Sequence, residues 1–128
     1  MNTLKLYPIV SLVLNNNIAE QEIPKLWQQT ALPCAQTIYG VYSEYQSDAN
    51  GDYRFSIATE IPNGSEPIVI EHLSTYQTFP SQREQILATW QSIWQQEQEG
   101  ILARAYSIDF ERYTESETNI FIAVQSKR

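Results

Sequence analysis

The segment Trp94-Gln95-Gln96, followed by Tyr106 and Glu111, repeats an earlier one: Trp27-Gln28-Gln29, Tyr39 and Glu44 fall into register with it without a gap. Each tryptophan closes a stretch whose apolar residues recur at three-four spacing, the period of a helix. Each glutamate sits in a tyrosine-rich run that alternates like a strand. The chain therefore reads as one unit written twice. In the first copy, residues 4–14 are apolar and β-branched, Asn15-Asn16-Asn17 interrupts them, and Ile23, Leu26, Trp27 and Thr30 form a helical face. Proline belongs in a first turn, where its missing N–H is not needed, so Pro24 places the start of the regular helix near Ile23; Leu32-Pro33 ends it. Strands are expected at 37–46 and 53–61, joined by a polar turn through Asn50-Gly51.

The second copy follows the same order. Residues 68–79 read as extended with a break at Leu73-Ser74, and Ser81-x-x-Glu84 has the form of a capping box that opens a helix. Leu87, Trp90, Ile93 and Trp94 give that helix one apolar face, and Gly100 stops it. Strands are expected at 103–113 and 119–125. Two β-α-β-β units, about 4–61 and 68–125, predict an α+β fold within a single domain, 1–128. A mostly antiparallel sheet would carry two helices, with pseudo-twofold symmetry and a ligand groove between the halves. Residues 62–67 are too few for an interdomain linker.

Composition narrows the function. At 128 residues the chain can bury a core without metals or disulfides. Fifteen acids against eight bases leave a net charge of −7, which repels nucleic acid and anionic membranes and favours cations or a basic protein face. A single cysteine, Cys34, fits a reducing cytoplasmic compartment. No stretch has the length of a membrane span, and the start lacks the pattern of a secretory signal. Eight tyrosines and three tryptophans supply large amphipathic rings suited to cores and to ligand pockets alike.

Strand alternation assigns the faces. Asp109, Glu111 and Tyr113 share one side, with Tyr106, Ile108 and Phe110 on the other; Ile38, Gly40, Tyr42 and Glu44 share one side of the equivalent strand. The repeat puts Glu44 and Glu111 on the same side of the sheet. A carboxylate among aromatic rings suits a delocalised cation, because the rings offer their negative faces and the carboxylate supplies the opposite charge. Glu111, Tyr113, Tyr42, Trp90, Trp94 and Glu44 are the candidate ligand-binding residues, although Trp at helical spacing also suits a core and Glu on a strand often faces water.

Catalytic chemistry finds little support. His72 is the only histidine and has no spacing that ties it to Cys34 or to a serine, and neither residue belongs to a metal-ligand motif. The four glycines form no phosphate loop or dinucleotide fingerprint, so no cofactor is expected. Glu44 with Glu111 is the one carboxylate pair that would merit consideration for acid–base work.

Ile38-Tyr39-Gly40-Val41-Tyr42 running to Gly51-Asp52-Tyr53, then Ala103-x-x-Tyr106 and Asp109-Phe110-Glu111-x-Tyr113, resemble the gyrase-inhibitor-like effector-binding family. This is the domain that also serves as the ligand-sensing half of some multidrug-responsive transcription activators. The resemblance runs from about Leu6 to Val124 and implies a duplicated β-α-β-β fold with an aromatic pocket between the halves. It also implies that Glu111 matches a buried glutamate that pairs with lipophilic cations, its pKa raised in an empty pocket and lowered by a bound cation. With no helix-turn-helix in the chain, the resemblance is to stand-alone forms, including proteins carried on mobile gene cassettes. Three functions follow as expectations. The first is a non-enzymatic receptor for amphipathic organic cations. The second is a protein-interaction role such as gyrase-inhibitor-like target protection. The third is a hydrolase of electrophilic small molecules with Glu111 as base, as in some relatives of the fold. Exposed strand edges leave a homodimer open.

Overall fold

A computed structural model describes residues 3–30, 37–47, 51–71 and 73–125; Cys34, His72, the expected helix stop at Leu32-Pro33 and Asn50 of the expected turn lie outside the described residues. The elements run β1 (Leu4–Leu14), α1 (Asn16–Gln29), β2 (Ile38–Ser43), β3 (Tyr53–Thr59), β4 (Ile68–Ile70), β5 (Gln77–Ser81), α2 (Ile86–Gln98), β6 (Asp109–Tyr113) and β7 (Thr118–Ile122). The strands form one curled antiparallel sheet in the order β4-β1-β3-β2-β6-β7-β5, an α+β fold with two helices.

The duplication is visible in the register. The displacement that carries Trp27 to Trp94 carries the facing pair Ser43 and Arg54 of β2 and β3 onto Phe110 and Phe121, which face each other in β6 and β7. β2 and β6, one from each copy, pair at the centre of the sheet with Gly40 opposite Glu111. Every residue of β2 is buried, because both faces of the sheet are covered there. One face carries Ile38, Tyr42, Phe55, Ile57, Ile120 and Ile122 against the helices. The other packs Leu6, Tyr39, Val41, Ala58, Ile70 and Phe110 beneath Leu73 and Tyr76.

Three local features depart from the sequence reading. Helix α1 starts at Asn16 rather than near Ile23, because Asn15 caps it: its side chain accepts from the Asn17 N–H at 2.9 Å. Pro24 thus sits inside the helix, where it removes the bond to the Glu20 carbonyl, and no residue of α1 is fully buried. The Ser81 capping box does not form. Ser81 is held in the sheet as the last residue of β5, opposite Thr118, and a 3-10 turn at Arg83–Gln85 leads into α2 without a side-chain cap. The strand expected over 103–113 is reduced to β6, since the chain upstream makes only an isolated bridge from Arg104 to Val124 and turns at Tyr106, whose φ of 55° is left-handed. That bend returns Arg104 toward Asp109. Among the described residues no helix is long and apolar enough to cross a membrane.

Candidate functional site

Between α1 and α2, over the helix-covered face of the sheet, lies an open cavity of about 1750 Å³ walled by residues of both copies. At its base sits Glu111, 3% exposed. Three donors converge on the carboxylate: Tyr42 Oη and Trp90 Nε1 each donate to Oε2 at 2.7 Å, and Tyr113 Oη donates to Oε1 at 2.6 Å. The donors come from β2, α2 and β6, so the carboxylate is fixed by three separate elements. The ion pairs among the described residues do not include it.

Aromatic rings surround this carboxylate. Tyr42 meets the edge of Trp90 at 5.1 Å and of Phe55 at 5.1 Å. Trp94 lies 6.2 Å from Trp90 along α2, and Trp27 of α1 meets Tyr113 at 5.3 Å. Trp90 is buried, whereas Trp27, Trp94 and Tyr113 are half-buried and offer surface to the cavity. At the rim, Arg83 lies over the Tyr113 ring at 5.5 Å.

Burial pushes the Glu111 pKa upward, and the hydrogen bonds from Tyr113, Trp90 and Tyr42 only partly offset it, so the net shift is upward. Its partners are affected in turn. Burial first, and then the nearby Glu111 charge, raise the pKa values of Tyr42 and Tyr113 and hold both phenols as donors.

Gly40 makes room for the glutamate. A Cβ there would lie 2.9 Å from Glu111 Oε1 and 3.1 Å from the Phe55 ring, a close approach of the kind that strand glycines often mark. Gly40→Ala is expected to displace the carboxylate from its donors and to destabilise the fold by about 1–3 kcal/mol through overpacking. Denaturant melts should show a lowered midpoint with an unchanged slope.

A second polar cluster borders the same cavity. Arg104, 4% exposed, donates through Nη2 to Asp109 Oδ2 at 2.8 Å, and its Nη1 lies 3.7 Å from Glu97. Asp109 is fully buried and also accepts from Tyr45 Oη at 2.6 Å and from the Ala123 N–H at 2.8 Å. Arg104 spreads over Tyr106 at 4.3 Å, Trp90 at 5.7 Å and Tyr45 at 6.0 Å. Burial is the largest single influence on the Arg104 pKa and pulls it down, but Asp109, Tyr45 and Tyr106 together outweigh it and the net shift is upward.

Five of the six residues singled out in the sequence, Glu111, Tyr113, Tyr42, Trp90 and Trp94, thus line one cavity. Glu44 does not belong to it. The backbone turns left-handed there, with φ 53°, and the exposed side chain pairs with Arg54 at 3.1 Å. The symmetry of the repeat therefore fails at its own glutamate, because β2 ends one residue earlier. The sequence reading also missed pocket residues. Trp27 was signalled by the repeat as the counterpart of Trp94. Arg104 carried no signal, since its burial depends on the Tyr106 bend. Among the described residues, no group of His, Cys, Asp and Glu is arranged to hold a metal.

Comparison with known proteins agrees with this architecture. Residues 12–124 match the Cass2 family, described as "Integron-associated effector binding protein". YobU of Bacillus subtilis (strain 168), named provisionally as a transcriptional regulator protein, is 29% identical over 132 residues, covering 83% of this chain and 81% of that protein. The integron cassette protein VCH_CASS2, from the mobile metagenome of Vibrio cholerae, has a similar structure, with a TM-score of 0.78 at 24% identity over 98% of this chain and 92% of its own. SAV2435, whose structure was determined bound to tetraphenylphosphonium, gives a TM-score of 0.70 at 18% identity, over 98% of this chain and 91% of its own. The chain belongs to the family of integron-associated effector-binding proteins.

Proposed function

We propose that the protein is a receptor for an amphipathic aromatic cation, with Glu111 as counter-charge and Tyr42, Trp90, Trp94, Tyr113 and Trp27 as walls. The observation that carries this reading is the buried Glu111 carboxylate, tied by three neutral donors and left outside the ion pairs among the described residues, at the base of an aromatic cavity. A buried charge without an opposite charge is unfavourable, and a ligand cation relieves it. The ring faces add about 0.5–2 kcal/mol per cation contact. Binding of tetraphenylphosphonium by SAV2435, a protein of the same fold, supports the ligand class. The proposed role is binding without turnover: of the about four lone-pair sites of the carboxylate, three already accept hydrogen bonds, two on Oε2 and one on Oε1, which ties the group in place as a fixed counter-charge.

The raised Glu111 pKa gives the reading a test with a definite sign. A cation prefers the ionised carboxylate, so binding releases a proton wherever the empty site is protonated. Affinity for a permanently charged aromatic cation is expected to rise with pH through the empty-site pKa, by up to about tenfold per pH unit, and then level off. A neutral analogue of the same shape should lack that rise. Tryptophan fluorescence titrations across pH check this, and equal pH profiles for the two ligands would contradict it.

A further inference from the structure

We infer that Arg104 occupies a second cation position built into the same cavity and thereby restricts the pocket to ligands with a single cationic centre. The inference deepens the receptor reading and rests on it. Its starting point is the shared use of Trp90. The indole N–H donates to Glu111, while the Arg104 guanidinium lies against the ring of the same indole at 5.7 Å. One side chain thus serves a charge-compensation site on each side, one filled from within the chain and one left for a ligand.

The Arg104 position has the parts that recognise an organic cation. Tyr106, Trp90 and Tyr45 supply ring contacts, and Asp109 supplies the opposite charge at 2.8 Å. The Arg104 Nε is buried and finds no hydrogen-bond acceptor among the described residues, so the rings and the Nη contacts hold the group. Counting the buried charges among the described residues, Asp109 and Glu111 face one guanidinium, Arg104. One negative charge is left to be matched. The Glu97 carboxylate is 27% exposed, paired to Arg104 and bonded to Tyr106, and water screens it. A ligand with one cationic centre completes the balance. A second positive charge carried along the cavity would meet the Arg104 guanidinium at its wall, where a ligand that fills the cavity displaces the screening water and like charges repel.

The test uses a bipyridine quaternised on one nitrogen and its doubly quaternised counterpart, which share a ring skeleton and differ in charge. Wild type is expected to bind the singly charged form at least about tenfold more tightly, and Arg104→Gln, which keeps a donor for Asp109, should shrink that ratio by about tenfold or invert it. Arg104→Lys should retain the wild-type preference. No discrimination by wild type, or an unchanged ratio in Arg104→Gln, would overturn the inference while leaving cation binding intact. Wild type binding neither compound would instead remove the receptor reading.

A second readout stands apart from ligand binding. Arg104→Ala vacates the position, so millimolar methylguanidinium is expected to raise the melting temperature of that variant, or its yield of folded protein, and to leave wild type unchanged. Absence of this rescue would overturn the second cation position whatever the titrations give.

Discussion

Asp109→Ala is expected to lower the free energy of unfolding by about 3–5 kcal/mol, the cost of breaking a buried ion pair by removing one partner. Asp109 is fully buried and accepts from three donors: Arg104, Tyr45 and the Ala123 N–H. Its removal leaves the Arg104 guanidinium without its main counter-charge in a position only 4% exposed, and it leaves the Ala123 N–H without the carboxylate that anchors the segment after β7 to β6. Both losses concern groups with little access to water, so most of their desolvation is not recovered. A loss of this size is a large share of the stability of an ordinary domain. Equilibrium denaturation would check it. A change below about 1 kcal/mol would show that the cluster is better solvated than its burial indicates.

Glu111→Gln separates stability from function. It keeps the shape of the side chain and removes the charge. Affinity for an aromatic cation is expected to fall by at least about 1.4 kcal/mol, or tenfold, because the substitution removes the ligand's buried counter-charge. Stability should move in the opposite direction. A glutamate whose pKa is raised on folding favours the fold below the ordinary carboxylate pKa and loses that contribution as pH rises through the raised value. At neutral pH the ionised form is therefore disfavoured by burial, and the glutamine variant should be as stable as wild type or more so. Below the ordinary carboxylate range, where the glutamic acid is neutral, the difference should shrink. Melts at acidic and neutral pH decide the point. A variant less stable than wild type at neutral pH would mean that the three hydrogen bonds outweigh desolvation.

The sequence reading reached the site through periodicity and failed where the backbone left it. The Trp-Gln-Gln repeat and strand alternation were enough to bring Glu111, Tyr113, Tyr42, Trp90 and Trp94 together, since all five lie in or beside regular elements. Glu44 was misplaced because alternation was carried past the end of β2 into a left-handed residue, which an unmarked glutamate does not announce. Arg104 was missed for a related reason. The run 103–113 has strand-like composition, yet Tyr106 turns the chain so that Arg104 meets Asp109, a pairing between residues five apart that no extended strand would make. Gly40 was legible as a glycine in a strand, but its reason, room for the Glu111 carboxylate, required the register of β2 against β6. The helix start was misjudged because Pro24 was weighed as a breaker while Asn15 supplied the cap.

Whether Glu111 is the ligand's charge partner is decided by a four-way titration, following tryptophan fluorescence, of wild type and Glu111→Gln with a permanently charged aromatic cation and a neutral compound of the same shape. Saturable cation binding that the substitution weakens by at least about tenfold, with the neutral compound affected far less, is the predicted result. Equal effects of the substitution on both compounds, or no saturable binding of the cation to folded wild-type protein, would contradict the assignment of Glu111 as the ligand's charge partner.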